Sequence, residues 1–170
     1  MISLLDTDVH KGKKMLVDLT RYLRITLDKS RSKTTTLEQE LDTVRAFMNI
    51  QKVRMGDRLQ FSIEVADNLK KAPLPPMLIQ PLVENAIKHG LEPNVAGGRI
   101  EISVTRDNGI LRIMVADTGA GLLENPGKGV GLTNVRQRLK SLYGEKGQLS
   151  LKQNHPTGVI AVLEIVHENV

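Results

Sequence analysis

Leu78-Ile79-Gln80-Pro81-Leu82-Val83-Glu84-Asn85-Ala86-Ile87-Lys88-His89-Gly90 carries two patterns on one stretch of chain. Leu78, Leu82, Val83, Ala86 and Ile87 recur at helical spacing and define an apolar face. Glu84, Asn85, Lys88 and His89 crowd a polar cluster into the same segment. Upstream, Pro73, Pro75 and Pro76 break any earlier helix, so the pattern predicts a helix over 77–89 that starts abruptly, with Gly90 placed to end it. On an α-helix Asn85 and Lys88 are three apart and Asn85 and His89 four apart, so all three share one side. An amide oxygen, an ammonium and an imidazole suit a Mg²⁺-polyphosphate, oxygen for the hard cation and positive groups for the phosphates. Taken alone, this helix fits a solvent-facing side equally well.

Working upstream, Leu59, Phe61, Ile63 and Val65 alternate with polar residues and read as a half-buried strand. Before it lie two helical patterns. Leu16, Leu19, Leu23 and Leu27 fall on one helix face, and the polar stretch 28–35 interrupts them. Thr36, followed by Gln39, then forms a capping-box signature for a second helix. On that helix Leu37, Leu41, Val44 and Met48 make a heptad-like seam ending near Val53, suited to packing on another helix within the chain or across a dimer.

Working downstream, strands are expected over 100–106 and 110–116, joined by the turn sequence Asp107-Asn108-Gly109. A glycine-rich stretch follows, then a helix over 133–143 and strands over 148–153 and 159–166. Asp117 closes an apolar strand and leads into Thr118-Gly119-Ala120-Gly121. A carboxylate there can accept a hydrogen bond from an exocyclic amine, while the glycines let backbone approach a flat ring. Asp-Thr-Gly also fits a plain turn, or a nucleophile of the aspartic-protease kind. Gly127-Lys128-Gly129-Val130-Gly131-Leu132 precedes a helix and can turn backbone N–H groups toward phosphate. The P-loop and G-x-G-x-x-G arrangements are absent.

Composition narrows the classes. The 170 residues hold one substantial domain and an accessory segment. Two Phe, two Tyr and no Trp leave an aliphatic core and no aromatic platform for bases, so nucleic acid is not an expected partner. Without cysteine there are no disulfides, thiolate zinc sites or cysteine nucleophiles. No apolar run reaches the roughly 20 residues of a membrane span, and no signal peptide opens the chain. The net charge of +5 lies mainly in the N-terminal helical part, mixed with acids, and reads as a solvated surface.

The order of the three boxes resembles the N, G1 and G2 boxes of the GHKL superfamily of gyrase, Hsp90, MutL and the histidine kinases. The resemblance implies a two-layer α/β sandwich (the Bergerat fold) with a mixed sheet and a Gly-rich ATP lid. It makes 57–170 an ATP-binding domain and 1–56 a preceding helical segment, a remnant of dimerisation and linker helices. It implies ATP and Mg²⁺ as ligands, with Asn85 the metal ligand and Asp117 on the adenine amino group. Gly119, Gly121, Gly129, Gly131 and Leu132 would shape pocket and lid, and Lys88 and His89 would face the phosphates. Asn85, Glu84 and Lys88 are the candidate catalytic residues.

Hydrolytic members place a water-activating glutamate four residues before the asparagine, where this chain has Pro81, which argues for transfer to a protein. Glu84 lies about 100° around an α-helix from Asn85 and does not simply replace that base. The phrase from Leu78 to Gly90 resembles the LytS-like (autolysis-sensor) subclass of bacterial sensor histidine kinases. Ile50-Gln51-Lys52-Val53-Arg54, Asp57-Arg58-Leu59 and Gly131-Leu132-Thr133-Asn134-Val135-Arg136 match it too. The resemblance implies a homodimer, a response regulator as phosphate receiver, and the cytoplasmic portion of a sensor whose membrane segments, where present, lie upstream. Two departures stand out. The subclass's Asn-Pro-His-Phe-Leu-Phe-Asn acceptor sequence is missing, and His10 does not match it, so the expected acceptor lies before Met1. The closing strand begins Gly158-Val159 instead of Gly-Thr, and His155 and His167 match no motif. A serine kinase of the anti-sigma-factor type and a pseudo-kinase interaction module are the alternatives.

Overall fold

The computed structural model describes residues 9–31, 34–121 and 130–166. Two helices come first, α1 (Val9–Arg31) and α2 (Leu37–Met55). α1 runs through 28–31, where an interruption was expected. Asp28, Lys29, Ser30 and Arg31 include no glycine or proline, and Lys and Arg are good helix formers. α2 begins as its sequence predicts. The Gln39 N–H donates to Thr36 Oγ1 at 3.3 Å and the Thr36 N–H donates to Gln39 Oε1 at 3.2 Å. Leu37, Leu41, Val44 and Met48 are at most 1% exposed and belong to the same core as the sheet that follows. The boundary expected between 56 and 57 therefore separates segments that share one core.

Besides two short pairing segments, β1 (Thr35–Thr36) and β3 (Pro73–Leu74), which form an antiparallel clip, the chain builds one five-stranded sheet. Its strands are β2 (Leu59–Val65), β4 (Gly98–Asp107), β5 (Ile110–Asp117), β6 (Gly147–Gln153) and β7 (Val159–Val166). They lie in the order β2-β4-β5-β7-β6, with β2 and β4 parallel and every other pair antiparallel. A parallel pair needs a crossover, and the helix beginning at Gln80 supplies it. The β4–β5 hairpin closes through Asn108 (φ +49°) and Gly109 (φ +77°), the left-handed pair that its turn sequence predicts.

Alternation sorts the faces. Ile100, Ile102, Leu111, Ile113, Val115, Leu163 and Ile165 point into the core with α2 and the later helices. On the other face, Arg112 Nε donates to Glu164 Oε1 at 2.8 Å from the directly opposite position. The result is the expected two-layer α/β sandwich with a mixed sheet.

The helix predicted over 77–89 differs in both ends and pitch. Its α-helical part, α3, is Gln80–Asn85, and Ala86–Leu91 continues as a π-helix. The Glu92 N–H reaches back five residues to the Ile87 carbonyl at 2.9 Å. Gly90 sits inside this segment and does not terminate it. A final helix, α4 (Val130–Tyr143), packs beside α3.

Candidate functional site

The site lies where α3 and its π-helical extension meet the end of β5. Asp117 is 3% exposed, and its Oδ1 accepts the Gly119 N–H at 2.8 Å. Burial pushes its carboxyl above the ordinary carboxylate range, and hydrogen bonds from the backbone of Gly119 and Val159 partly oppose that rise. A Cβ on Gly90 would stand 2.7 Å from Asp117 Oδ1, so glycine is required there for close approach to a carboxylate. A Cβ on Gly119 would lie 2.2 Å from the Gly90 carbonyl carbon. The Ala120 N–H donates to the Gly90 carbonyl at 3.0 Å, fastening the Asp-Thr-Gly-Ala-Gly loop to the helix.

The structure thus joins two of the three sequence boxes by direct backbone contact. Gly121 (φ +89°) continues the loop in the left-handed region, beside Gln153 of β6. Of the third box, Gly131 and Leu132 lie in the first turn of α4, and Gly129 lies outside the described residues. Leu132 is buried at 2% exposure, and a Cβ on Gly131 would rest 3.7 Å from Pro81 Cβ, an ordinary contact. The start of α4 therefore faces the start of α3.

Asn85, the last α-helical residue, is half-buried, whereas Glu84, Lys88 and His89 are exposed. Lys88 and His89 fall in the π-helical part, so the three- and four-residue spacings from Asn85 do not have their α-helical meaning. Single π turns inside helices recur at functional sites. His10 is an exposed residue near the start of α1, and His155 is exposed in the β6–β7 turn. His167 lies outside the described residues.

Several positioning residues escaped the sequence reading. Glu40 of α2, 2% exposed, accepts from the backbone N–H groups of Met77 (3.0 Å), Leu78 (3.1 Å) and Ile79 (3.2 Å). It caps the entrance to α3 from another element, just after Met77 has taken φ +65°. Asn154 Nδ2 donates to the Asp117 carbonyl at 2.7 Å. A Cβ on Gly158 (φ +112°) would collide with that same carbonyl at 1.9 Å. No local pattern distinguishes Glu40 from Glu38, which faces solvent; only the tertiary placement does.

Residues 71–168 match the family described as "Histidine kinase-, DNA gyrase B-, and HSP90-like ATPase", and residues 1–59 match the family described as "Histidine kinase". The chain is 33% identical to Sensor protein LytS of Oceanobacillus iheyensis over 98% of its own length and 31% of that protein. It is 36% identical to Sensor histidine kinase YesM of Bacillus subtilis over 79% of its own length and 24% of that protein. It thus spans about a quarter to a third of these curated relatives. Among solved structures it is similar in fold to the histidine kinase domain of a blue-light activated kinase from Erythrobacter litoralis, with TM-score 0.64 and 20% identity, covering 89% of this chain and 74% of that one. It is similar too to histidine kinase ThkA in complex with response regulator protein TrrA, with TM-score 0.57 and 19% identity over 92% and 49% of the two chains. With Asp117, Gly90 and Gly119 brought together as they are, and with this match, the chain belongs to the histidine kinase-, DNA gyrase B- and HSP90-like ATPase family.

Proposed function

We propose that this chain is the ATP-binding catalytic part of a two-component sensor histidine kinase, cytoplasmic in the complete protein. It binds ATP with Mg²⁺ and passes the γ-phosphoryl group to a protein histidine outside these residues. The Asp117 carboxylate supports this reading most. It is buried against Gly90 and takes N–H groups from Gly119 and Val159. A carboxylate offers roughly four acceptor positions, which leaves capacity for the adenine amino group.

Asn85 supplies an amide oxygen one helical turn from Pro81. Among the described residues no three His, Asp or Glu side chains form a metal-holding group. Mg²⁺ keeps its waters and substrate phosphates and needs few protein oxygens, so the Asn85 amide oxygen would be enough to anchor it. When bound, the ion neutralises phosphate charge. Lys88 and His89 present donors on the same segment, and Gly121, Gly131 and Leu132 would shape the pocket. Glu84 is the acidic group beside Asn85. Pro81, carrying no acid or base, favours a protein acceptor over water.

Two partners follow. An aspartate-bearing response regulator would receive the phosphoryl group, in keeping with the ThkA–TrrA complex. A second copy would pair along α1, whose Val9, Leu16 and Leu23 stand at seven-residue spacing and are 56%, 40% and 51% exposed. No helix among the described residues is long and apolar enough to cross a membrane.

Calorimetry of the Asp117→Asn variant tests the reading. ATP affinity should fall beyond detection while the far-UV dichroism stays native. An Asp117→Asn chain that binds ATP like the original would remove the adenine assignment.

A further inference from the structure

The Tyr22 hydroxyl, midway along α1, meets the side-chain amide of Gln80 in the first turn of α3. The same Gln80 Nε2 donates to Glu84 Oε1 at 2.6 Å, one turn further on. Gln80 is 2% exposed, and its own Oε1 is buried with no hydrogen-bond partner among the described residues. An apolar side chain would fill this position without leaving a buried acceptor unsatisfied. What the amide adds is a link between two elements. Tyr22 is placed by its ring, which lies against Phe47 of α2 with centroids 6.0 Å apart. Its hydroxyl therefore follows the seating of α1 on α2. Glu84 is exposed, and a long side chain in that setting samples many rotamers; the bond to Gln80 selects one. Glu84 stands next to Asn85.

We propose that Gln80 is a positioning residue: held by Tyr22 at one side, it fixes the Glu84 carboxylate on the helical turn that carries Asn85, the residue read as the metal ligand. The seating of α1 and the filling of the phosphate subsite are thereby coupled. This rests on the reading of Asn85 and Asp117 as a Mg-ATP site. Coupling of this kind is reciprocal, so occupancy of the subsite should also steady α1.

A double-mutant cycle with Tyr22→Phe and Glu84→Ala on the whole chain tests it by calorimetry, with Mg-ATP and with adenosine as separate probes. Tyr22→Phe keeps the ring on Phe47 and removes only the hydroxyl. It should weaken Mg-ATP by about three- to tenfold, the size of one hydrogen bond, and leave adenosine unchanged. In the Glu84→Ala background it should have no further effect. Hydrogen exchange around Tyr22 should slow on adding Mg-ATP to the original chain and not to Glu84→Ala. Additive effects, equal losses for both probes, or exchange that ignores Mg-ATP would each overturn the positioning role. An original chain that does not bind Mg-ATP overturns the site reading and this proposal together; one that binds it normally while the cycle is additive overturns this proposal alone.

Discussion

α2 and the helix that starts at Gln80 are both anchored in one core, yet only one obeys local rules. α2 has a reciprocal capping box, acids in its first turn and Lys52 and Arg54 in its last, each complementing the helix dipole. Its seam is fully buried and its pitch is regular. The second helix has no side-chain cap of its own, enters through a positive-φ methionine and widens to π pitch after six residues. It then carries a glycine in mid-course, forced by a carboxylate from another strand. Local rules hold where a helix only packs and break where one must also present a site. The irregular helix is stable because its neighbours supply what its own sequence lacks.

Glu40 is where the two helices meet, and removing it gives the largest expected effect. Its carboxylate accepts three successive N–H groups, two of them on fully buried residues. Glu40→Ala strands those donors and releases the Met77 turn, a loss of about 3 kcal/mol or more. Urea unfolding should show it as a lower midpoint. If α2 were an independent helix, the same substitution on its first turn would cost only a few tenths, and such a result would break the comparison.

Gly90→Ala comes next. The new Cβ would stand 2.7 Å from Asp117 Oδ1 and 2.9 Å from Cγ, and the carboxylate has little room to retreat beside Gly119. Overpacking of this kind costs about 1–3 kcal/mol. Because the group displaced is Asp117, ATP affinity should fall along with stability, read by calorimetry on protein kept below its unfolding transition. Stability that falls while affinity stays would separate Gly90 from the site.

How far these features were legible in the sequence follows from their range. Leu59, Phe61, Ile63 and Val65 announce β2 by alternation, and Asn108-Gly109 announces the β4–β5 hairpin, because each signal is contained within a few residues. Thr36 and Gln39 announce the cap of α2 for the same reason. Gly90 read as a helix stop because its true constraint, the Asp117 carboxylate, comes from a distant strand. The clip of β1 and β3 is two residues long on each side and has no period to detect. Glu40, Gln80 and Tyr22 act across long separations, and each alone looks like an ordinary helical residue. The pairing of the Asn85 and Asp117 boxes was legible only as an order of motifs; the Gly90–Gly119 contact that makes them one place was not.

The smallest effect sharpens the contrast most cleanly. Thr36→Ala removes the Oγ1 that accepts the Gln39 N–H and leaves the rest of α2 intact. Loss of such a cap costs about 1 kcal/mol. Because the seam from Leu37 to Met48 is already fixed in the core, the frayed turn should not move the end of α2 that carries Lys52 and Arg54. Glu40 lies one turn in from the cap, so its grip on Met77, Leu78 and Ile79 is the sensitive reporter. If the helix tolerates its lost cap, the urea midpoint drops slightly and ATP affinity stays constant. If ATP affinity drops with it, the capping box of α2 contributes to the site through Glu40, and even the regular helix is part of what holds the irregular one in place.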